Sequence, residues 1–136
     1  MRYDTQGTFN SAASWQAYNA GANGVGNDLV GFYGGAFDGR YIYFVSNRNS
    51  AGGYQGESMR YDTQSAFNSS ASWQAFDPGA NGVGTDPDGF HGAAFDGRYL
   101  YFVPFYDGSA YFGEILRFDS KSPPSIPSTV YGGSFF

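Results

Sequence analysis

Short runs of apolar and aromatic residues alternate with turns rich in Gly, Asn and Asp along most of the chain. Residues 40–45 and 98–103 are apolar at almost every position, which is typical of strands that are buried on both faces. No segment places apolar residues at the 3.6-residue spacing of an amphipathic helix. The pattern therefore predicts an all-β chain with almost no helix.

The chain repeats itself at a spacing of 57–58 residues. Residues 1–45 and 59–103 are identical at 33 of 45 positions, and a shorter third copy begins at Leu116. We interpret residues 1–136 as one repeat domain with copies at 1–58 and 59–115 and a partial copy at 116–136. Residues 128–135 either begin another first strand or close the last repeat unit, and the sequence leaves both interpretations open.

Each full repeat contains four strand-like segments and one variable loop. We expect the first strand at 31–37, with its copy at 89–95, and the second strand at 40–45, with its copy at 98–103. The third strand is expected at 57–62, with its copy at 114–119. The fourth strand is expected at 72–76, with an earlier copy at 14–18. Asp-Gly pairs at 38–39 and 96–97 predict tight hairpins between first and second strands. The variable loop spans residues 46–55 and 104–112.

Four short strands in a repeat of this length are typical of a propeller blade. A diglycine at Gly34-Gly35 is followed by Tyr61 and Trp73, and this order resembles that of kelch-type propeller repeats. The pattern is also similar to that of highly repetitive bacterial propeller proteins. The resemblance implies a β-propeller of four-stranded antiparallel blades, with the tryptophan in a structural position between blades.

The number of blades in the chain indicates how a propeller ring would close. Propellers use about four to eight blades, whereas this chain carries strands for roughly two to two and a half. Open ends would expose apolar blade faces, which repeat proteins normally cover. We expect a cyclic homo-oligomer, a trimer or a tetramer, that forms one ring. The competing interpretation is a piece of a longer propeller.

Composition excludes several classes of function. The 14 Phe, 12 Tyr and 2 Trp argue against disorder. A net charge of −5 with scattered Arg and Lys argues against nucleic acid and anionic membranes as partners, and no apolar run is long enough to span a membrane. The absence of cysteine excludes disulfides and thiolate metal sites. The N-terminus does not resemble a signal peptide, and the Gly- and Asn-rich, weakly charged composition suggests an extracellular or cell-surface location.

Aromatic residues are the candidate ligand-binding groups. Trp15 and Trp73 occupy equivalent positions and either stack on sugar rings or fill a structural position. Phe105, Tyr106 and Tyr111 lie in the second variable loop, where propellers often carry specificity; the alternative is unselected variation of a loop. These residues favour a lectin-like binding or adhesion module, with a glycan or a protein as partner.

Two acidic residues, Asp86 and Asp88, are the candidate metal ligands. Their carboxylates lie two positions apart in a Gly-rich loop, which is compatible with part of a Ca²⁺ site. The first copy has Asp28 at one of these positions and Val30 at the other, and the pattern favours a plain turn over a calcium site. No other cofactor is indicated.

Catalytic residues are not indicated by any motif. His91 has no Cys, Ser or carboxylate partner at motif spacing, and Arg40 and Arg98 are expected to pair with Asp62 and Asp119 rather than with an anionic ligand. We therefore expect a non-enzymatic, self-assembling propeller. A structural or protein-interaction propeller without a small ligand is the alternative, and a glycan-active hydrolase is a third hypothesis, although the sialidase Ser-x-Asp-x-Gly-x-Thr-Trp box is absent.

Overall fold

The computed structural model of the chain describes residues 1–120, and both interpretations of residues 128–135 lie outside this range. These 120 residues form nine β-strands and four 3-10 helices of three residues each. The strands are β1 (Arg2–Tyr3), β2 (Trp15–Gln16), β3 (Phe32–Phe37), β4 (Tyr41–Ser46), β5 (Ser58–Asp62), β6 (Trp73–Phe76), β7 (Ala93–Phe95), β8 (Tyr99–Phe102) and β9 (Leu116–Asp119). The 3-10 helices are Ala12–Ser14, Gly21–Asn23, Ser70–Ser72 and Gly79–Asn81. The all-β prediction is confirmed for this part of the chain.

The strands form three antiparallel sheets in which neighbours in sequence are neighbours in space. The first sheet is β1-β2, the second is β3-β4-β5-β6, and the third is β7-β8-β9. The repeat is visible in the register, because Tyr61 lies opposite Trp73 just as Tyr3 lies opposite Trp15. Strands form in all eight segments where the sequence predicts them, and the ninth strand, β1, is the repeat equivalent of part of β5.

The hairpin between β3 and β4 forms where the Asp-Gly pair predicts it, with the Asp just outside the turn. The backbone N–H of Asp38 donates to the carbonyl of Tyr41, so the two central residues are Gly39 and Arg40. Gly39 has a φ of 101°, which favours glycine. The Asp38 carboxylate accepts hydrogen bonds from the N–H groups of Arg40 and Tyr41 and fixes the turn.

The second sheet is covered on both faces, and β4 shows why. We call the side that carries Tyr43 and Val45 the forward face, and it packs on Leu100, Phe102 and Leu116 of the third sheet. The opposite side, which we call the rear face, carries Ile42 and Phe44. It packs against Val25 and Leu29 of residues 17–31, the linker between β2 and β3, in a separate cluster that includes Trp73 of the same sheet. Successive side chains of a strand point to opposite faces, so the continuous apolar run at 40–45 is buried on both sides, as the sequence predicts.

The first strands of the second and third sheets lie side by side at a close backbone contact. Gly34 has a φ of 125°, and a Cβ built there would lie 3.3 Å from the Cα of Gly92. Two glycines therefore allow β3 and β7 to approach closely. The rest of each sheet packs face to face outward from this contact.

Candidate functional site, an aromatic loop cluster

The two variable loops meet next to the first strands and bring six aromatic or imidazole rings together. We call this group the aromatic loop cluster; it consists of Tyr33, Tyr54, His91, Phe105, Tyr106 and Tyr111. Each variable loop is a small hairpin closed by an isolated bridge, Arg48 with Tyr54 in one and Tyr106 with Tyr111 in the other. The predicted candidates Phe105, Tyr106 and Tyr111 are thus placed in one surface group.

The rings of the cluster touch in a continuous series. The His91 imidazole stacks on Phe105 with centroids 4.0 Å apart, and Tyr111 meets the Phe105 ring edge-on at 5.4 Å. Tyr106 joins Tyr111 to Tyr54 at 5.3 Å and 5.1 Å. Tyr111 is 77% exposed, so an exposed aromatic surface rests on rings that are held in place by their neighbours.

Glycines hold the variable loops against the strands. The carbonyl of Gly31 accepts hydrogen bonds from the N–H groups of Asn47 and Arg48, and Gly89 donates to the carbonyl of Gln55. Both glycines have positive φ, and a Cβ on Gly89 would collide with the carbonyl of Tyr106. Only glycine fits this close approach. Glycines at these two positions therefore allow the variable loops to pack against the residues that precede β3 and β7.

Polar groups next to the rings are tied into the same loops. The Arg48 guanidinium lies 4.1 Å from the centroid of Tyr54 and donates to the carbonyl of Gly52. The Asp107 carboxylate accepts N–H bonds from Ser109 and Ala110, and these bonds lower the pKa of Asp107. The cluster therefore combines aromatic faces with one cation and one ionised carboxylate.

The two tryptophans differ in their surroundings although their local structures match. Trp73 is buried, donates a 3.0 Å hydrogen bond from Nε1 to the carbonyl of Phe67, and stacks on Tyr18 and Tyr61. Trp15 makes the equivalent 2.8 Å bond to Phe9 but is only half-buried. Neither ring contacts the aromatic loop cluster, and the buried position of Trp73 favours the structural interpretation for that residue.

The two acidic candidates for calcium binding lie in the loop before β7. Asp86 is exposed, whereas Asp88 is half-buried, and burial followed by the nearby charges of Asp86, Asp77 and Asp107 raises the pKa of Asp88. Within residues 1–120 no three His, Asp or Glu side chains form a group that could hold a metal ion. The calcium site remains a prediction without support from a third acidic ligand.

The arginines after the Asp-Gly turns form the salt bridges that the sequence predicts. Arg40 meets Asp62 at 2.7 Å, and its Nε donates a second bond of 3.2 Å to the same carboxylate. Arg98 meets Asp119 at 3.1 Å in the second copy. The hydrogen bond from Arg40 lowers the pKa of Asp62, so these charges stabilise strand ends.

An apolar groove of about 800 Å³ runs between β6 and β9. Met59, Trp73 and Phe76 line it on the side of the second sheet, and Leu116 and Phe118 line it on the side of the third. β9 is the edge strand of the third sheet in the described part of the chain, whereas β5, its equivalent, is flanked by β6. The groove therefore lies along the edge where the repeat predicts a fourth strand.

Sequence reasoning missed half of the aromatic loop cluster. His91 was considered only as a catalytic residue, and Tyr33 and Tyr54 were not considered as ligand-binding residues at all. The signal was present in the repeat, because His91 and Tyr33 occupy equivalent positions and both are aromatic rings beside the variable loops.

No helix in residues 1–120 is long and apolar enough to cross a membrane. No protein-family model, curated protein or solved structure matches the chain.

Proposed function

We propose that the chain is a non-enzymatic, kelch-like β-propeller module that assembles from several copies and binds glycans through the aromatic loop cluster. The cluster is the observation that carries the binding part of this proposal. Sugars present flat patches of C–H groups, and exposed aromatic rings offer apolar faces of matching size. The hydroxyl groups of Tyr54, Tyr106 and Tyr111, together with the Arg48 guanidinium, supply hydrogen-bonding partners for sugar hydroxyls.

The arrangement of the sheets supports the propeller part of the proposal. The second sheet is a four-stranded antiparallel meander, and its forward face packs against the third sheet. Its rear face packs against the linker between β2 and β3, and Arg2 of the first sheet reaches Phe67 on that side. The close approach of Gly34 to Gly92 brings first strands together, as expected if they line the axis of a ring. Propellers close with about four to eight blades, and the three sheets of residues 1–120 are fewer, so several copies would complete one ring.

Assembly would also strengthen weak binding. Residues 1–120 of each copy carry one aromatic loop cluster, and a ring of three or four copies would display these clusters at fixed spacing. Multivalent engagement can raise apparent affinity by about 10²–10⁴-fold without any new contact. An adhesion module that captures branched or repeated glycans would profit from this geometry.

A second candidate function is a structural or protein-interaction propeller that binds no small ligand. It is favoured by the apolar groove and by the exposed residues Val103 and Phe118, which offer apolar contact area outside the aromatic loop cluster. Under this alternative, the aromatic loops would stabilise the rim of the sheets and nothing more.

The experiment is a glycan array with the full 136-residue chain, followed by titration calorimetry on any glycan that is bound. Phe105→Ala and Tyr111→Ala should each weaken binding about tenfold, because a stacking contact of about 1.4 kcal/mol corresponds to a tenfold change in Kd. Phe37→Ala is the matched control, since Phe37 is exposed but lies outside the cluster. An assembled protein that binds no glycan would contradict the binding function and favour the structural alternative.

A further inference from the structure

The forward face of the third sheet is exposed where its equivalent in the second sheet is buried. Tyr101 and Val103 are the repeat equivalents of Tyr43 and Val45. Val45 has no exposed surface because the third sheet covers it, whereas Val103 is 48% exposed. The chain thus carries the same apolar face twice and covers it once within residues 1–120.

The rear face of the first sheet is likewise exposed where its equivalent in the second sheet is buried. Tyr3, Phe9 and Trp15 repeat Tyr61, Phe67 and Trp73. Their geometry matches, because Tyr3 and Trp15 lie 4.7 Å apart and Tyr61 and Trp73 lie 4.6 Å apart. Phe67 is only 6% exposed, whereas Phe9 is 68% exposed. The difference between the two copies is that the linker between β2 and β3 and the Arg2 side chain cover Phe67.

Each forward face carries an arginine, and in the first and second sheets this arginine lies near an aromatic ring of the next sheet unit. Arg2 of the first sheet lies 4.9 Å from the ring centroid of Phe67, which belongs to the second sheet unit. Arg60 of the second sheet lies 4.4 Å from the Tyr41 ring of its own sheet and 5.9 Å from the Phe118 ring of the third. Arg117 is the next member of this series, and the ring that it faces within residues 1–120 is Tyr99 of its own sheet, at 4.3 Å.

We infer that the forward face of the third sheet, with Tyr101 and Arg117, receives the rear face of the first sheet, with Tyr3 and Phe9, from a second copy of this chain. The inference rests on the proposed assembly and specifies its interface. Arg117 would lie against the Phe9 ring of the neighbour, as Arg2 lies against Phe67 within the chain. A guanidinium over an aromatic face is favourable, and more so when water is excluded.

A second copy fits better than an unrelated partner because both halves of the contact are on the same chain. The two exposed surfaces differ from each other, and the equivalents of both are buried within the chain. The third sheet covers the forward face of the second sheet, and the linker between β2 and β3 covers its rear face together with Arg2. Such a head-to-tail contact is heterologous, and heterologous contacts form rings when the rotation between copies closes.

The first test uses two single variants of the full chain, Arg117→Glu on the forward face and Phe9→Glu on the rear face. Each alone should be a folded monomer by light scattering, because each removes one half of the interface. When they are mixed, the intact forward face of Phe9→Glu should bind the intact rear face of Arg117→Glu, and a 1:1 dimer should form. Cooperative unfolding in urea serves as the check that each single variant is folded.

Matched controls come from the chain itself. Arg48→Glu removes an arginine that lies 4.1 Å from a tyrosine ring, as Arg117 does, but on a variable loop. Val30→Glu introduces a carboxylate at an exposed position whose repeat equivalent is already Asp88. Both control variants should assemble like the unmodified chain.

A covalent test is independent of these charge changes. The chain has no cysteine, so Arg117→Cys/Phe9→Cys should give disulfide-linked oligomers under mild oxidation, and either single variant should not. If the unmodified chain assembles but the charge variants also assemble and the cysteine pair fails to cross-link, this interface is wrong while the proposed assembly stands. If Arg117→Glu blocks assembly but Phe9→Glu does not, the contact pairs two forward faces and the inference is also wrong. A monomeric unmodified chain would contradict both proposals.

Discussion

The hydroxyl of Tyr43 donates a 2.8 Å hydrogen bond to the carboxylate of Asp38, and the third sheet buries both side chains. The second copy repeats the bond between Tyr101 and Asp96 at 2.9 Å, but there Asp96 is exposed. Burial and the neighbouring Asp38 raise the pKa of Tyr43, so its hydroxyl stays protonated and remains a donor. The same local bond is thus found in a buried and an open setting within one molecule.

Replacing Tyr43 with Phe should destabilise the fold more than the same change at Tyr101. The Tyr43→Phe variant leaves one oxygen of the buried Asp38 carboxylate without its donor, which costs about 1–3 kcal/mol. Water can replace the lost donor at Asp96 in Tyr101→Phe. Urea denaturation of both variants measures the difference, and equal losses of stability would show that the third sheet does not bury the first-copy bond.

Truncation of the two equivalent phenylalanines should separate folding from assembly. Phe67→Ala removes a buried ring from the cluster around Trp73 and should cost about 3–5 kcal/mol. Phe9→Ala should change the free energy of unfolding by less than about 1 kcal/mol, because Phe9 is exposed, and should instead weaken association. Denaturation at low protein concentration and light scattering at high concentration give the two readings. A large loss of stability in Phe9→Ala would contradict this assignment.

The Arg40–Asp62 salt bridge should make stability depend on pH in the acid range. Arg40 lowers the pKa of Asp62, so the bridge contributes stability above the pKa of the unfolded carboxyl and loses it as the pH falls through the folded pKa. Asp62→Asn should therefore cost up to about 1 kcal/mol at neutral pH and nothing in strong acid. Asp4→Asn is the control, because Asp4 makes the same turn bond to Gln6 without an arginine partner within residues 1–120. A cost for Asp62→Asn that does not vary with pH would contradict the role of charge.

The contribution of Asp88 to folding stability should depend on pH in the opposite direction to that of Asp62. Burial raises its pKa, so ionisation penalises the folded state at neutral pH, and the penalty disappears as the pH falls below the unfolded pKa. Asp88→Asn should increase stability at neutral pH by less than about 1 kcal/mol. Thermal unfolding across the acid range measures the effect. The same scans with added Ca²⁺ test the predicted site, since a calcium-dependent rise in Tm that Asp88→Asn abolishes would reveal a bound ion and a stabilising role for the carboxylate.

The strands and their order could be predicted from the sequence because each segment signals its own structure. Aromatic runs, Asp-Gly pairs and the spacing of Trp15 and Trp73 are local features, and repetition doubles each of them. The pairing of Arg40 with Asp62 was also predictable, because both flank strands that pair directly.

The aromatic loop cluster was less predictable because its members come from separate segments. Tyr33, Tyr54 and His91 meet only after Gly31 and Gly89 fold the variable loops back onto the strands, and spacing along the chain does not indicate this contact. The difference between Phe9 and Phe67 could not be predicted either. The two residues have nearly identical neighbours in sequence, and they differ because the linker between β2 and β3 and the Arg2 side chain pack on Phe67.

The absolute mass of the full chain in solution, measured by size exclusion with light scattering at micromolar concentration, tests the assembly most directly. We predict one sharp species of three or four times the 14.7 kDa chain mass, with the exposed faces of the first and third sheets covered by neighbouring copies. A folded monomer at this concentration would contradict it.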